Sequence, residues 1–150
     1  MHASTEPRLL FPPLRPLYAH LELLSWPLVR CACGLILAVH GWGKVSQGAA
    51  AYVGVFVKMG YANPTALIWF LAFVELVGGL CIALGLFTRF FAAMVTIEMA
   101  VIMFAHYLPN GFAWTNRGYE FVLMWGLLAM AIWWRGGGPY SLDRRIGIEL

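Results

Sequence analysis

The chain has 150 residues, 61% of them hydrophobic and 11% charged, with a mean hydropathy of +0.75. A water-soluble globule carries roughly a quarter of its residues as charges, so this balance excludes one. The net charge of +3 follows from where the arginines fall relative to a membrane, and no nucleic-acid partner is needed to account for it.

Residues 1–26 form a leader holding Arg8, Arg15 and the prolines Pro7, Pro12, Pro13 and Pro16. It lacks the continuous apolar centre and small-residue cleavage site of a signal peptide. Leu14, Leu17, Leu21 and Leu24 recur at three- and four-residue spacing, which predicts a short helix on the membrane surface, starting at Pro16. Ser25 and Pro27 then suit the start of a first span, a cap followed by a proline in the first turn.

A helix needs roughly 20 apolar residues to cross a hydrocarbon core. Four segments qualify, at about 27–46, 66–86, 89–108 and 118–135. They are apolar on nearly all faces, whereas the helices of a greasy soluble bundle would keep a polar stripe. Between the first two lies AAYVGVFVKMGY, a short interfacial helix or re-entrant segment, followed by an Asn63-Pro64 turn. The second and third are joined only by a turn with Gly85, Thr88 and Arg89, which makes them antiparallel neighbours. A wetter loop with Pro109-Asn110-Gly111 precedes the fourth, and Trp133 and Trp134 suit an interface at its end. Residues 136–150 read as a glycine hinge and a polar tail.

The expected fold is therefore all-α, an integral membrane four-helix up-down-up-down bundle over residues 27–135. If both chain ends share one side, that side carries Arg8, Arg15, Arg30, Arg89, Arg135, Arg144 and Arg145, against Lys44, Lys58 and Arg117 opposite. The positive-inside rule then puts both termini in the cytoplasm.

Acids at bilayer depth are the chemistry-bearing feature. Glu75 and Glu98 fall near the middles of spans two and three, and an exposed charge there costs on the order of 2.5 to 3.5 kcal/mol. Both should face the bundle interior, paired, protonated or wetted. His40 and Lys44 share a face of the first span. Depth makes Glu120 the expected partner of Lys44, and His40 the expected partner of Glu75 or Glu98. Gly78, Gly79 and Ala83 beside Glu75 predict a close helix contact on the same side. Lys44, Arg30 and Arg89 are equally served by snorkelling to headgroups, and Glu120 by neutralising Lys44.

Cys31, Cys33 and Cys81 all fall inside spans, and residues two apart on a helix point about 200° apart, so the CAC at 31–33 is no redox pair. No glutamate has a histidine three residues on, as a di-iron bundle requires. His40 and His106 would bracket a haem only if both faced one cavity. Neither a metal nor a haem is expected.

The pattern Arg30-x3-Gly34-x5-His40-Gly41-x2-Lys44, then Glu75-Leu-Val-Gly-Gly79, Leu84-Gly85-Leu-Phe-Thr-Arg89, Gly118-Tyr-Glu120 and Gly138-Pro-Tyr-Ser-Leu-Asp143, resembles the DoxX family of small membrane proteins over about residues 26–145. The resemblance implies a four-helix membrane bundle associated with redox chemistry. Name-giving members are linked to a terminal quinol oxidase and to thiosulfate:quinone oxidoreductase. Others are tied to thiol and oxidative-stress systems, and animal relatives look like cargo receptors and receptor chaperones. It carries over to Arg30, His40, Lys44, Glu75, Arg89, Glu120 and Asp143, while Glu98 rests on the physical argument alone.

Three functions compete. The first is a subunit of a quinone-linked redox complex in a bacterial-type inner membrane, with a polar pocket in the outer half of the bundle. Glu75, Glu98 and His40 would handle protons there. Arg30, Lys44 and Glu120, with the walls Trp42, Trp69 and Trp125, would bind the quinone, and Arg89 and Asp143 would form structural ion pairs. No electron carrier is visible in the chain, so a redox partner subunit, or a homo-oligomer, is implied. The second is a non-catalytic structural or assembly subunit, and the third a small proton-coupled transporter.

Overall fold

The computed structural model describes residues 9–150, and Arg8 of the charge count lies outside them. Among the described residues there are helices and turns and no strand. Three helical stretches are long and apolar enough to cross a membrane, Pro12–Gln47, Pro64–Leu84 and Thr88–Asn110. The chain is thus a multi-pass membrane protein.

Helix α1 (Arg15–Gln47) does not begin where the Ser25-Pro27 cap predicted. It runs unbroken from the leader through the first span, with Pro16 in its first turn and Pro27 inside it. Ser25 turns its hydroxyl to the carbonyl of Glu22, a bond available only within a helix already formed. At 1.5 Å per residue α1 is about 50 Å long, more than a bilayer's hydrocarbon thickness of roughly 30 Å. Its N-terminal turns therefore extend past the bundle, and Leu14, Leu17, Tyr18, Leu21 and Leu24 are exposed there.

The segment expected to be interfacial or re-entrant is a short helix, α2 (Ala50–Lys58), lying against α3 (Pro64–Phe73). Asn63 caps α3, its Oδ1 accepting from Ala66 N at 3.3 Å with Pro64 in the first turn. A π-turn, Val74–Gly78, joins α3 to α4 (Gly79–Leu84). After the turn at Gly85 comes α5 (Thr88–Ile102), which ends in a second π-turn, Met103–Tyr107. Helix α6 (Glu120–Arg135) has 16 residues and lies along α5, burying Ala129 and Ile132. A last helix, α7 (Leu142–Ile146), belongs to the tail.

Between helices in lipid there is little hydrophobic drive, so close packing decides the contacts. Gly34 on α1 sits against the backbone of Gly79 and Ala83 on α4, and Gly41 against the backbone of Leu76 in the π-turn. A Cβ on any of these glycines would collide with main chain. The core continues through Cys33, Leu37, Val74, Ile82, Phe91 and Val95. Outside it the bundle shows Leu28, Val39, Ile97, Phe104 and Trp134 to its surroundings, an apolar coat suited to lipid.

The tail is not a loose extension beyond a glycine hinge. Trp26 Nε1 donates to Gly136 O at 3.0 Å, and Arg135 stacks over the Trp26 ring at 4.4 Å. Asp143 accepts from Phe87 N at 2.7 Å, Thr88 N at 3.0 Å and Thr88 Oγ1 at 2.6 Å. It is the N-terminal cap of α5 supplied from 55 residues away, and it holds Phe87 at φ 47°, a conformation a bulky residue adopts only when held. The first half of α1, the α4–α5 turn and the tail thus meet at one end of the bundle. Lys44, α2 and the 108–119 loop lie at the other.

Candidate functional site

Two helical irregularities set the site. A π-turn widens the helix by one residue per turn, leaves a carbonyl without its regular partner and re-aims the side chains that follow; such turns are common at functional sites. Glu75 is the second residue of the first π-turn, and His106 and Tyr107 close the second.

Glu75, only 6% exposed, forms an ion pair and hydrogen bond with Lys44 from the last turn of α1. The expected Lys44–Glu120 pair is absent. Glu120 lies in the first turn of α6, where its Oε2 accepts from Trp114 N at 3.2 Å and closes the preceding loop. Glu120 is engaged by the connection it closes, while Lys44 meets Glu75 on the π-turn.

Glu98 on α5 is 7% exposed, and both carboxyl oxygens are buried with no N–H or hydroxyl donor on them; the Glu75 carboxyl is within hydrogen-bonding reach once one of the two acids carries a proton. Its nearest charged neighbours are Glu75 and Lys44. A buried polar group left unmatched costs about 1–3 kcal/mol, so an acid kept in this state calls for an explanation other than stability.

That acid lines a cavity of about 440 Å³ between α2, α3 and α5. Phe56, Leu67, Phe70, Met94, Ile97 and Val101 give it an apolar wall, and its polar groups are Glu98, Tyr61, His106 and Tyr107. Tyr61 Oη and His106 Nε2 are hydrogen-bonded at 2.8 Å, with their rings 5.5 Å apart. A mostly apolar chamber with a few convergent polar groups is the usual form of a small-molecule site.

A second cavity of about 230 Å³ holds Glu75, His40, Trp125, Phe121, Met99 and Tyr107. Here the structure brings together four residues singled out in the sequence, since Lys44 is bonded to Glu75. His40 makes no hydrogen bond to either acid, contrary to the expected pairing, and lines the same cavity as Glu75. Because His106 lines the larger chamber and His40 the smaller, the two histidines do not face one cavity.

Several expected site residues stand elsewhere. Trp42 and Trp69 are 59% and 46% exposed and line neither chamber, so they face the bundle's surroundings. Arg30, 2% exposed, is at the opposite end, donating to the carbonyls of Ala83, Gly137 and Tyr140; it clasps the tail to α4. Arg89 pairs with Glu149 at 3.3 Å and also donates to Trp133 O at 3.0 Å and Trp134 O at 2.6 Å, capping α6. Asp143 was expected in an ion pair and is instead the cap of α5. Tyr61 and Tyr107 were missed and His106 weighed only as a haem ligand. Depth near the outer ends of the spans was their one signal, and the π-turn that aims His106 has no sequence mark.

A multi-pass helical membrane protein, with a buried ion pair and a second buried acid between two chambers, is the class this arrangement defines. The chain belongs to the DoxX family, whose model matches residues 25–108. An uncharacterized protein of Haemophilus influenzae is 28% identical over 120 residues, covering 78% of this chain and 87% of that protein. No solved structure matches the chain. The family match takes in Lys44, Glu75, Glu98, His106 and both π-turns, and stops short of α6 and the tail.

Proposed function

We propose that this protein is the membrane subunit of a quinone-linked redox complex, taking the quinone head as substrate in the chamber between α3 and α5. In this reading α6 is a fourth span, the Arg30 end with the tail faces the cytoplasm of a bacterial-type inner membrane, and the chamber lies in the outer half. What carries it is Glu98, a buried carboxyl met by no N–H or hydroxyl donor, lining the same largely apolar cavity as the Tyr61–His106 pair.

The residues present fit a flat apolar ring with two carbonyls. The chamber's volume falls within the roughly 300–1,000 Å³ usual for small-molecule pockets. In this reading Phe56 and Phe70, both in the chamber wall, would flank the ring, and the Tyr61–His106 pair would donate to one carbonyl oxygen. Glu98 would give a proton to the other. Reduction consumes two electrons and two protons; the electrons must come from a partner subunit bearing a redox cofactor, and this chain binds, orients and protonates.

Purification from native membranes in mild detergent, with its neighbours, tests the reading. A quinone should co-purify near one per chain with a cofactor-bearing partner, and be lost from Glu98→Gln while the fold survives. A second reading, a structural or assembly subunit, draws on the first turns of α1, where Leu17, Tyr18, Leu21 and Leu24 are all exposed. Stable partners with no quinone, and Glu98→Gln without effect, would favour it.

A further inference from the structure

Glu98 and Glu75 are neighbours, yet each lines a different chamber. The chambers share Ile102 and Tyr107 as a common wall, and one of the two neighbouring acids lines each of them. On the far side, the smaller chamber contains His40, an exposed residue of α1. From His40 to Glu75 to Glu98 the protein therefore has three titratable groups in succession, from an exposed side chain near the Lys44 end of α1 to a buried acid.

We propose that Glu75 and His40 are the route by which Glu98 exchanges protons with water, the smaller chamber serving as proton entry and the larger as the binding chamber. The inference rests on the reading above for the use made of the protons, but not for the route itself. Both Glu98 oxygens are buried, and the walls of its own chamber are apolar apart from Tyr61, His106 and Tyr107. A molecule held by the Tyr61–His106 pair would cover that side, leaving the Glu75 side for resupply. Lys44 keeps Glu75 oriented at the shared wall.

The only bonds made and broken along this route are the N–H and O–H bonds of the moving proton. A proton taken up at His40 passes to Glu75, Glu75 gives one to Glu98, and Glu98 gives one to the bound oxygen, each group returning to its starting state. Two passes supply the two protons of a quinone reduction whose two electrons come from the redox partner. His40 and Glu75 are not hydrogen-bonded, so their step needs intervening water. A liquid water takes about 30 Å³, and the smaller chamber, about 230 Å³, has room for several.

The groups facing Glu98 are Glu75 and Lys44 at the shared wall and Tyr61, His106 and Tyr107 from its chamber. Two routes are thus available, and infrared spectroscopy separates them. The full chain in liposomes, with neither quinone nor partner, is moved from H2O to D2O, and the carboxyl band lost in Glu98→Gln is followed in time. The route predicts exchange at least tenfold slower in His40→Phe and in the Glu75→Gln/Lys44→Met double variant, with wild-type speed in Glu75→Asp. The double variant leaves no lone charge behind, and His40 bonds to nothing, so both should fold. Unchanged exchange in both, slowing confined to Tyr61→Phe and His106→Gln, or no exchanging Glu98 band would each overturn it. Since no quinone is present, the outcome is independent of whether one co-purifies.

Discussion

Lys44, in the last turn of α1, reaches across to Glu75 on the Val74–Gly78 π-turn and closes an ion pair inside the bundle. The pair decides which of two neighbouring acids has a cation, and so gives Glu75 and Glu98 different roles. It also ties α1 to the one stretch of the second span whose helix is irregular.

Removing only Lys44 leaves a carboxylate buried without its cation. Lys44→Met should lower stability by about 3 kcal/mol, and Lys44→Met/Glu75→Leu should recover to within about 1 kcal/mol of the parent, because replacing a whole buried pair with apolar groups is often neutral. Reversible unfolding in mixed micelles, followed by helical circular dichroism, measures both.

Glu98 should behave in the opposite way. Its oxygens have no N–H or hydroxyl donor to lose and stand beside a second acid, so Glu98→Leu is expected to raise stability by about 1–3 kcal/mol and to abolish binding of decylubiquinone. Thermal melts and quenching of tryptophan fluorescence by the added quinone report the two effects. A loss of stability would place Glu98 in the structural framework instead.

Tyr61→Phe deletes one hydroxyl from the Tyr61–His106 bond and leaves the ring in place. A neutral hydrogen bond is worth about 0.5–1.5 kcal/mol, so decylubiquinone affinity should fall roughly three- to tenfold, with little change in melting temperature.

The glycines separate close packing from propensity. A Cβ at Gly34 meets the backbone of Gly79 and Ala83, whereas at Gly54, in the middle of α2, it meets nothing within 4 Å. Gly34→Ala should cost about 1–3 kcal/mol by forcing α1 from α4, and Gly54→Ala should gain about 0.5–1 kcal/mol through helix propensity. The same micelle unfolding assay reads the opposite signs.

At the other end, Asp143→Ala strips the cap from α5 and should destabilise by about 2 kcal/mol while exposing residues 136–150 to protease. Arg144→Ala, next to it but exposed, should stay within about 0.5 kcal/mol. Limited proteolysis and unfolding curves distinguish the two.

Composition and the all-round hydrophobicity of its segments determined that this chain is helical and crosses a membrane more than once, because continuous apolar runs of about 20 residues suit a helix, which satisfies its own backbone in lipid, and not the short alternating strands of a barrel. Sequence also determined that Glu75 and Glu98 turn inward, since exposing them to lipid is too costly, and that glycines mark the contact between the first two spans. Which cation meets which acid was decided by the tertiary structure alone. A helical wheel assumes about 100° per residue, and two π-turns break that register just where Glu75, His106 and Tyr107 stand. Depth along a span fixes one coordinate of a side chain and leaves its direction open, so Glu120 and Lys44 matched in height without meeting, and Tyr61, from a connecting segment, closed a chamber no span pattern announced. The folded tail was hidden for a related reason: Asp143 acts as a cap through a contact 55 residues distant, and nothing local to Gly136–Leu150 records where its partner lies.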